Sequence, residues 1–134
     1  MEERVTEEVK AIERYILKTW GKHFATRTEV PLSQLFLKPD NPGLQHIWRY
    51  GSADLVAYRS GKPVAIIEPG GSHHFEEKQS LNDRRKWKLA ELHGVRCLNM
   101  MNGLQAQLSK RKWRELIGGI LFGSGTRENR TCLY

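Results

Sequence analysis

The chain has 134 residues, the length of one ordinary domain, and its 39% hydrophobic content is enough to bury a core and excludes a largely disordered chain. Lys and Arg number 22 against 15 Asp and Glu, and the formal net charge of +7 favours a polyanionic partner over a basic surface without a role. No apolar run approaches the roughly 20 residues that cross a bilayer, and the charged start Met1–Arg4 does not resemble a signal peptide, so we expect a cytoplasmic protein with no membrane partner.

The first half of the chain begins with one long amphipathic segment. Apolar residues at three- and four-residue steps predict a helix from about Thr6 to Trp20, with Thr6 as its cap and Gly21 at its end. Shorter elements follow, as the β-branched and turn-forming residues indicate. They are a strand at 23–30, a helical turn at 31–36 and a loop at 38–43.

The second half contains a hairpin, which is the clearest signal in the chain. Two apolar runs, Ser52–Arg59 and Pro63–Glu68, are separated by a short turn. Further predicted elements are a helix at about 76–93, a strand at 95–100 and a helix at about 104–121. We expect residues 1–122 to form a single domain and residues 123–134 to form a polar, frayed tail. This order predicts an α/β (α+β) fold with a small mixed sheet flanked by helices.

Two acids lie near the ends of the two hairpin strands. Asp54 interrupts one apolar strand, and Glu68 ends the other. Burial of a carboxylate is costly unless the charge is paired, and a cation is the usual partner where two carboxylates meet. Oxygen ligands favour Mg²⁺, with Mn²⁺ as a substitute. The pattern therefore predicts a metal site, and the alternative is that each acid simply lies in water at a strand end.

Two histidines follow where the chain leaves the sheet. His73 and His74 come five and six residues after Glu68. A histidine beside a metal pocket can accept a proton from an attacking water, because its unperturbed pKa lies near neutrality. A structural role is the alternative for a single histidine.

Other charged residues lie on the predicted helices. Asp83 and Lys86 are three residues apart and share one helix face. Considered without the other motifs, these two residues are more simply interpreted as an exposed ion pair. Glu13 lies at the edge of the apolar stripe of the first helix and is expected to point inward toward the sheet edge. Glu8, on the opposite flank, is the other candidate.

Basic and aromatic residues interleave in three segments, at 46–50, 84–88 and 110–114. Cations neutralise phosphates and aromatic rings stack on bases, so we expect nucleic-acid contact by at least one segment. The alternative is that Trp87 and Trp113 are core residues beside a solvated face. The candidate contact residues are Arg49, His73, Arg84, Arg85, Lys110, Arg111, Lys112 and Arg114.

Together these residues resemble the PD-(D/E)XK nuclease superfamily, with its restriction-endonuclease-like core. Within it the chain looks most like the very-short-patch-repair type branch and its relatives of unknown function. The resemblance covers about Val5 to Met100 and depends on the joint order and spacing of its motifs. The matching positions are Glu13, Val30–Leu35, Asp54, Val64–Glu68, His74, Asp83, Lys86 and Gly94.

The resemblance implies a role for each member of the site. Three groups would hold Mg²⁺: the carboxylates of Asp54 and Glu68 and the main-chain carbonyl of Pro69. His74 would be the general base, oriented by Asp83, and Lys86 would contact the scissile phosphate. Glu13 would correspond to the first-helix glutamate of one variant of this site.

The chain departs from the superfamily pattern at Gly70, where a lysine is usual. We expect an endonuclease that hydrolyses phosphodiester bonds in nucleic acid, with DNA favoured, by metal-activated water. One alternative is a catalytically degenerate nucleic-acid-binding module of the same fold. Another is an interaction domain whose basic clusters are only surface. The oligomeric state is left open, a dimer included.

Overall fold

The structure, a computed structural model, describes residues 7–69, 77–100, 110–123 and 130–132. Within these residues five strands form one mixed sheet with helices on both faces, so the predicted mixed α/β class is confirmed. The elements are α1 (Glu7–Trp20), β1 (Ala25–Pro31), α2 (Leu32–Leu35), α3 (Pro42–Tyr50), β2 (Ser52–Arg59), β3 (Lys62–Pro69), α4 (Glu77–Leu92), β4 (Arg96–Met100), α5 (Lys110–Phe122) and β5 (Arg130–Cys132).

The sheet has the order β1-β2-β3-β4-β5. The first three strands are antiparallel, β4 is parallel to β3, and β5 is parallel to β4. Ser60 and Gly61 join β2 to β3 with φ values of 53° and 80°. Positive φ at both central residues is typical of the two-residue type I′ turn, whose twist matches that of the paired strands. This turn sets the register next to it, and a one-residue shift between Ala57 and Tyr58 then sets the register of the part of the hairpin that carries the two predicted acids.

Two apolar clusters cover the two faces of the sheet, because successive strand residues point to opposite sides. The α1 face is packed by α1 and α5, with Ile12, Ile16, Leu55, Ala57, Ala65, Ile67, Leu98, Ile117 and Leu121 among its buried residues. The α4 face is packed by α2, α3 and α4, with Leu32, Ile47, Val56, Ile66, Trp87, Leu89 and Cys97 among its buried residues. Neighbouring residues Ile66 and Ile67 accordingly belong to different clusters.

Most of the predicted elements agree closely with the structure. The first helix, the hairpin, the helix at 76–93 and the strand at 95–100 are confirmed. The last predicted helix is confirmed from Lys110 onward, and its residues 104–109 lie outside the described part of the chain. No helix among the described residues is long and apolar enough to cross a membrane.

Two elements differ from the sequence prediction. The turn-forming residues of segment 38–43 predict a loop, but α3 begins at Pro42. Asn41 caps this helix, because its side chain accepts a hydrogen bond from the Gly43 N–H at 2.7 Å, and proline is favoured at the first helical position. In the predicted tail, Arg130–Cys132 form β5 and pair with β4, so this part of the tail extends the sheet.

Candidate functional site

A buried ion pair joins the sheet to α4. Glu68 is 3% exposed and Lys86 is 8% exposed, and the Lys86 Nζ donates a hydrogen bond to the Glu68 Oε1 at 2.8 Å. Within the described residues these are the two charged side chains that are buried. Because an isolated buried charge is strongly destabilising, each partner offsets much of the desolvation cost of the other.

The local pattern of each element explains how the two residues meet. Glu68 comes two residues after Ile66 on β3, so both side chains lie on the α4 face. Lys86 lies three and four residues before Leu89 and Ala90, which are buried in the α4-face cluster. Lys86 therefore occupies a core-facing position of α4, where an apolar residue is the usual choice.

Asp54 reaches the same carboxylate through its main chain. The Asp54 N–H donates a hydrogen bond to the Glu68 Oε2 at 3.0 Å. The hairpin register pairs Leu55 with Ile67, and its continuation sets Asp54 opposite Glu68. The hairpin thus brings the two predicted acids to the same level on neighbouring strands, with Asp54 only partly buried.

Strand β1 carries a further acid at this level, which the sequence interpretation missed. Thr28 pairs with Leu55 and Val30 with Ala53, so Glu29 lies at the level of Asp54. Glu29 has a φ of 50°, a left-handed conformation that is uncommon for a residue other than glycine. The sequence contains no signal for this placement, because it depends on the pairing of β1 with β2.

The donor set suits a hard cation in its chemistry. A carboxylate offers about four lone-pair positions, so the two hydrogen bonds to Glu68 leave capacity for a cation. The Lys86 ammonium lowers the net negative charge that the site offers to such an ion. In the part of the chain that the structure describes, no group of three or more His, Cys, Asp and Glu residues could hold a metal ion. The assignment of Asp54, Glu68 and the Pro69 carbonyl as Mg²⁺ ligands stays a prediction.

Glu13 is not brought together with Glu68. The Thr26 hydroxyl donates a hydrogen bond to the Glu13 Oε2 at 2.8 Å. Thr26 pairs with Ala57, which belongs to the α1-face cluster, so this bond lies on the α1 face. Glu13 does approach the edge strand β1, as expected from its place on the helix, but the sheet separates it from the candidate site.

Other members of the predicted site lie outside the described residues. His73 and His74 fall within 70–76, and the Asp83 side chain is likewise outside the description, although its backbone is part of α4. The proposed general base and its orienting aspartate therefore stay predictions.

The predicted nucleic-acid contacts divide between the two faces. Arg49 and Arg84 are exposed and Arg85 is partly buried, and all three belong to α3 and α4, the helices of the α4 face. Trp87 is 7% exposed in the α4-face cluster, which confirms the interpretation that it is a core residue. The predicted nucleic-acid contacts that lie on the same side of the sheet as Glu68 therefore belong to α3 and α4.

The α5 residues lie on the other side of the sheet. Arg111 and Lys112 are exposed and both approach Glu115, at 3.4 Å and 3.5 Å. Arg114 lies over the Trp20 ring, with 5.8 Å from its Cζ to the ring centroid. The side chains of Lys110 and Trp113 are outside the description. The basic residues of α5 and Glu68 therefore lie on opposite sides of the sheet.

The chain was compared with protein families, with curated proteins and with solved structures, and none of them matches it. The fold class follows from the strands and helices themselves. Arguments about function depend on the residues around Glu68 and on the charge of the surface.

Proposed function

We propose that this protein is a Mg²⁺-dependent endonuclease of the PD-(D/E)XK type that hydrolyses phosphodiester bonds in DNA. The observation that supports it most is the buried Glu68, bonded to Lys86 at 2.8 Å and to the main chain of Asp54 at 3.0 Å. An acidic pair on neighbouring strands and a lysine from the adjacent helix are the groups that such chemistry needs. The net charge of +7 suits a polyanionic substrate.

Stability alone gives a weak reason for this ion pair. Replacing a buried ion pair by apolar residues of similar volume is often neutral or stabilising. A catalytic use of Glu68 and Lys86 therefore accounts for charged residues at positions that would otherwise favour Leu or Met.

Each residue has a task in this proposal. Asp54 and Glu68, with the Pro69 carbonyl, would hold Mg²⁺, which when bound polarises the phosphodiester and lowers the pKa of water. Lys86 reaches the site from α4 and takes the role of the lysine absent at Gly70, donating hydrogen bonds to the phosphate. His74 would accept the proton of the attacking water.

The test is cleavage of labelled single-stranded, duplex and branched DNA, with an RNA control, in Mg²⁺, Mn²⁺ and EDTA. The wild type should cut in either metal and not in EDTA. Asp54→Asn and Lys86→Gln should each lower the rate by roughly 10²-fold or more, as loss of a charge-stabilising group does elsewhere. The matched control is Lys88→Gln, which changes an exposed lysine of the same helix. Undiminished cutting by Asp54→Asn would refute the proposal.

A second candidate is a nucleic-acid-binding module of the same fold without catalysis. It is favoured by the two oxygens of Glu68, both of which already accept hydrogen bonds from protein donors. This candidate predicts salt-sensitive binding of DNA and no cleavage in Mg²⁺ or Mn²⁺. The same assay distinguishes the two, because metal-dependent cutting by the wild type is incompatible with it.

A further inference from the structure

One end of the sheet carries an open depression of about 480 Å³. It forms where the turn between α1 and β1 meets the turn between β2 and β3. Its lining includes Lys22, His23, Arg27 and Tyr58, and no acidic residue is among the described residues that line it. We call this feature the basic depression. Lys22, His23 and Arg27 are exposed, so their side chains are accessible to a ligand.

Further cations surround the basic depression. Arg59 and Lys62 flank the hairpin turn, and both are exposed. The Arg59 guanidinium lies over the Phe24 and Phe122 rings, at 5.6 Å and 5.7 Å from their centroids, which restrains its position. The opposite end of the same strands carries the acids of the candidate site. The sheet is therefore basic at its hairpin end and acidic at the other.

The basic depression lies at the end of the sheet, and two of its lining residues, Arg27 and Tyr58, are on the same face as the candidate site. Arg27 pairs with Val56, a residue of the α4-face cluster, and Tyr58 packs against that cluster. Asp54 and Tyr58 are four residues apart on β2, which at about 3.4 Å per residue is a separation of roughly 14 Å. Phosphates along one strand of a duplex rise about 3.4 Å along the helix axis per nucleotide and also wind around it, so this separation corresponds to at most roughly four nucleotides.

We infer that the basic depression binds the nucleic-acid phosphodiester backbone, at most roughly four nucleotides from the phosphate at the candidate site. This inference rests on the proposed function, because it assigns a second contact to the same substrate. Lys22 and Arg27 would neutralise phosphate charge. Burial raises the pKa of the Tyr58 hydroxyl, although Arg27 opposes the shift, so the hydroxyl stays protonated near neutral pH and can donate to a phosphate oxygen.

The experiment measures how duplex binding depends on salt. A labelled duplex of about 20 base pairs would be titrated in EDTA, which prevents cleavage, and the slope of log K against log salt would be compared between variants. Lys22→Ala combined with Arg27→Ala should reduce the magnitude of the slope by about 1.8, because each lost phosphate contact accounts for about 0.9. The control combines Arg14→Ala with Lys38→Ala, which removes the same charge from other exposed positions and should leave the slope near the wild-type value.

The outcomes separate this inference from the proposed function. An unchanged slope in the Lys22/Arg27 variant would overturn the basic depression as a binding surface without affecting a cleavage result. An equal reduction of the slope in both double variants would also overturn the basic depression as a binding surface, because binding would then depend only on the overall charge. No salt-dependent binding by the wild type would contradict the proposed function as well. Tyr58→Phe, which removes only a hydroxyl, should weaken binding a few-fold without changing the slope.

Discussion

The two faces of the sheet bury different kinds of side chain. On the α1 face the fully buried side chains are apolar, Ile12, Ile16 and Ile117 among them, and charged residues such as Glu13 and Arg114 are partly buried or exposed. The α4 face is also largely apolar but includes the ion pair of Glu68 and Lys86. The comparison indicates that the α1 face supports the fold, whereas the α4 face also carries the groups suited to chemistry.

This difference has an energetic consequence. Apolar burial contributes in proportion to the area removed from water and depends little on which partner covers it. An ion pair depends on both members, since the loss of one leaves the other charged and buried. Substitutions on the α1 face should therefore have graded effects, and those at the ion pair should depend strongly on the partner residue.

The largest expected effect is at Lys86. Lys86→Met should lower the free energy of unfolding by about 3–5 kcal/mol, because it leaves the Glu68 carboxylate buried and uncompensated. Urea denaturation measures the loss. The control Lys88→Met alters an exposed position of the same helix and should change stability by about 0.5 kcal/mol or less.

A double variant gives the sharper result for this pair. Glu68→Leu combined with Lys86→Met should regain most of the stability that Lys86→Met loses, while the cleavage rate stays roughly 10²-fold or more below that of the wild type. Additive losses in the double variant would show that the two charges are not energetically coupled, and the distinction between the faces would fail.

On the α1 face, Ile12→Ala should lower the free energy of unfolding by about 3 kcal/mol, through lost transfer energy and the cavity that remains. Leu17→Ala, at a side chain 45% exposed on the same helix, should cost clearly less. Cleavage per folded molecule should be unchanged in both variants. A large drop in the turnover of folded Ile12→Ala would mean that the α1 face contributes to catalysis directly.

The bond between Thr26 and Glu13 tests the position of Glu13. Thr26→Val should cost about 1 kcal/mol, because it removes the donor to the Glu13 carboxylate. Glu13→Gln, which keeps an acceptor oxygen, should be closer to neutral, and neither variant should affect cleavage. If Glu13→Gln folds normally but does not cut, Glu13 acts at the site despite its place on the α1 face.

The smallest expected effect is at Arg114. Arg114→Gln should lower stability by about 0.5 kcal/mol through loss of its contact with the Trp20 ring. Its effect on DNA affinity should be smaller than that of Arg84→Gln, which changes an exposed cation on the α4 face. Anisotropy titrations of the two variants measure the difference. A greater loss with Arg114→Gln would indicate that nucleic acid contacts α5 instead.

Local sequence patterns were sufficient for most elements. The hairpin could be predicted because two apolar runs and a turn of a specific type depend on only a few adjacent residues. Helix α3 could not be predicted from its first residues, because Asn41 and Pro42 are favoured both in loops and at the start of a helix. Strand β5 was missed because a three-residue strand depends on its partner β4 for its hydrogen bonds.

The sequence by itself determined the fold class, the hairpin and the residue types from which a metal-dependent site could be built. Only the tertiary structure decided that Lys86 reaches Glu68, that Glu13 lies across the sheet and that Glu29 lies at the level of Asp54. Periodicity reports which face of an element is buried. The pairing of strands and the helix that covers each face depend on contacts between distant residues, and no local pattern encodes them.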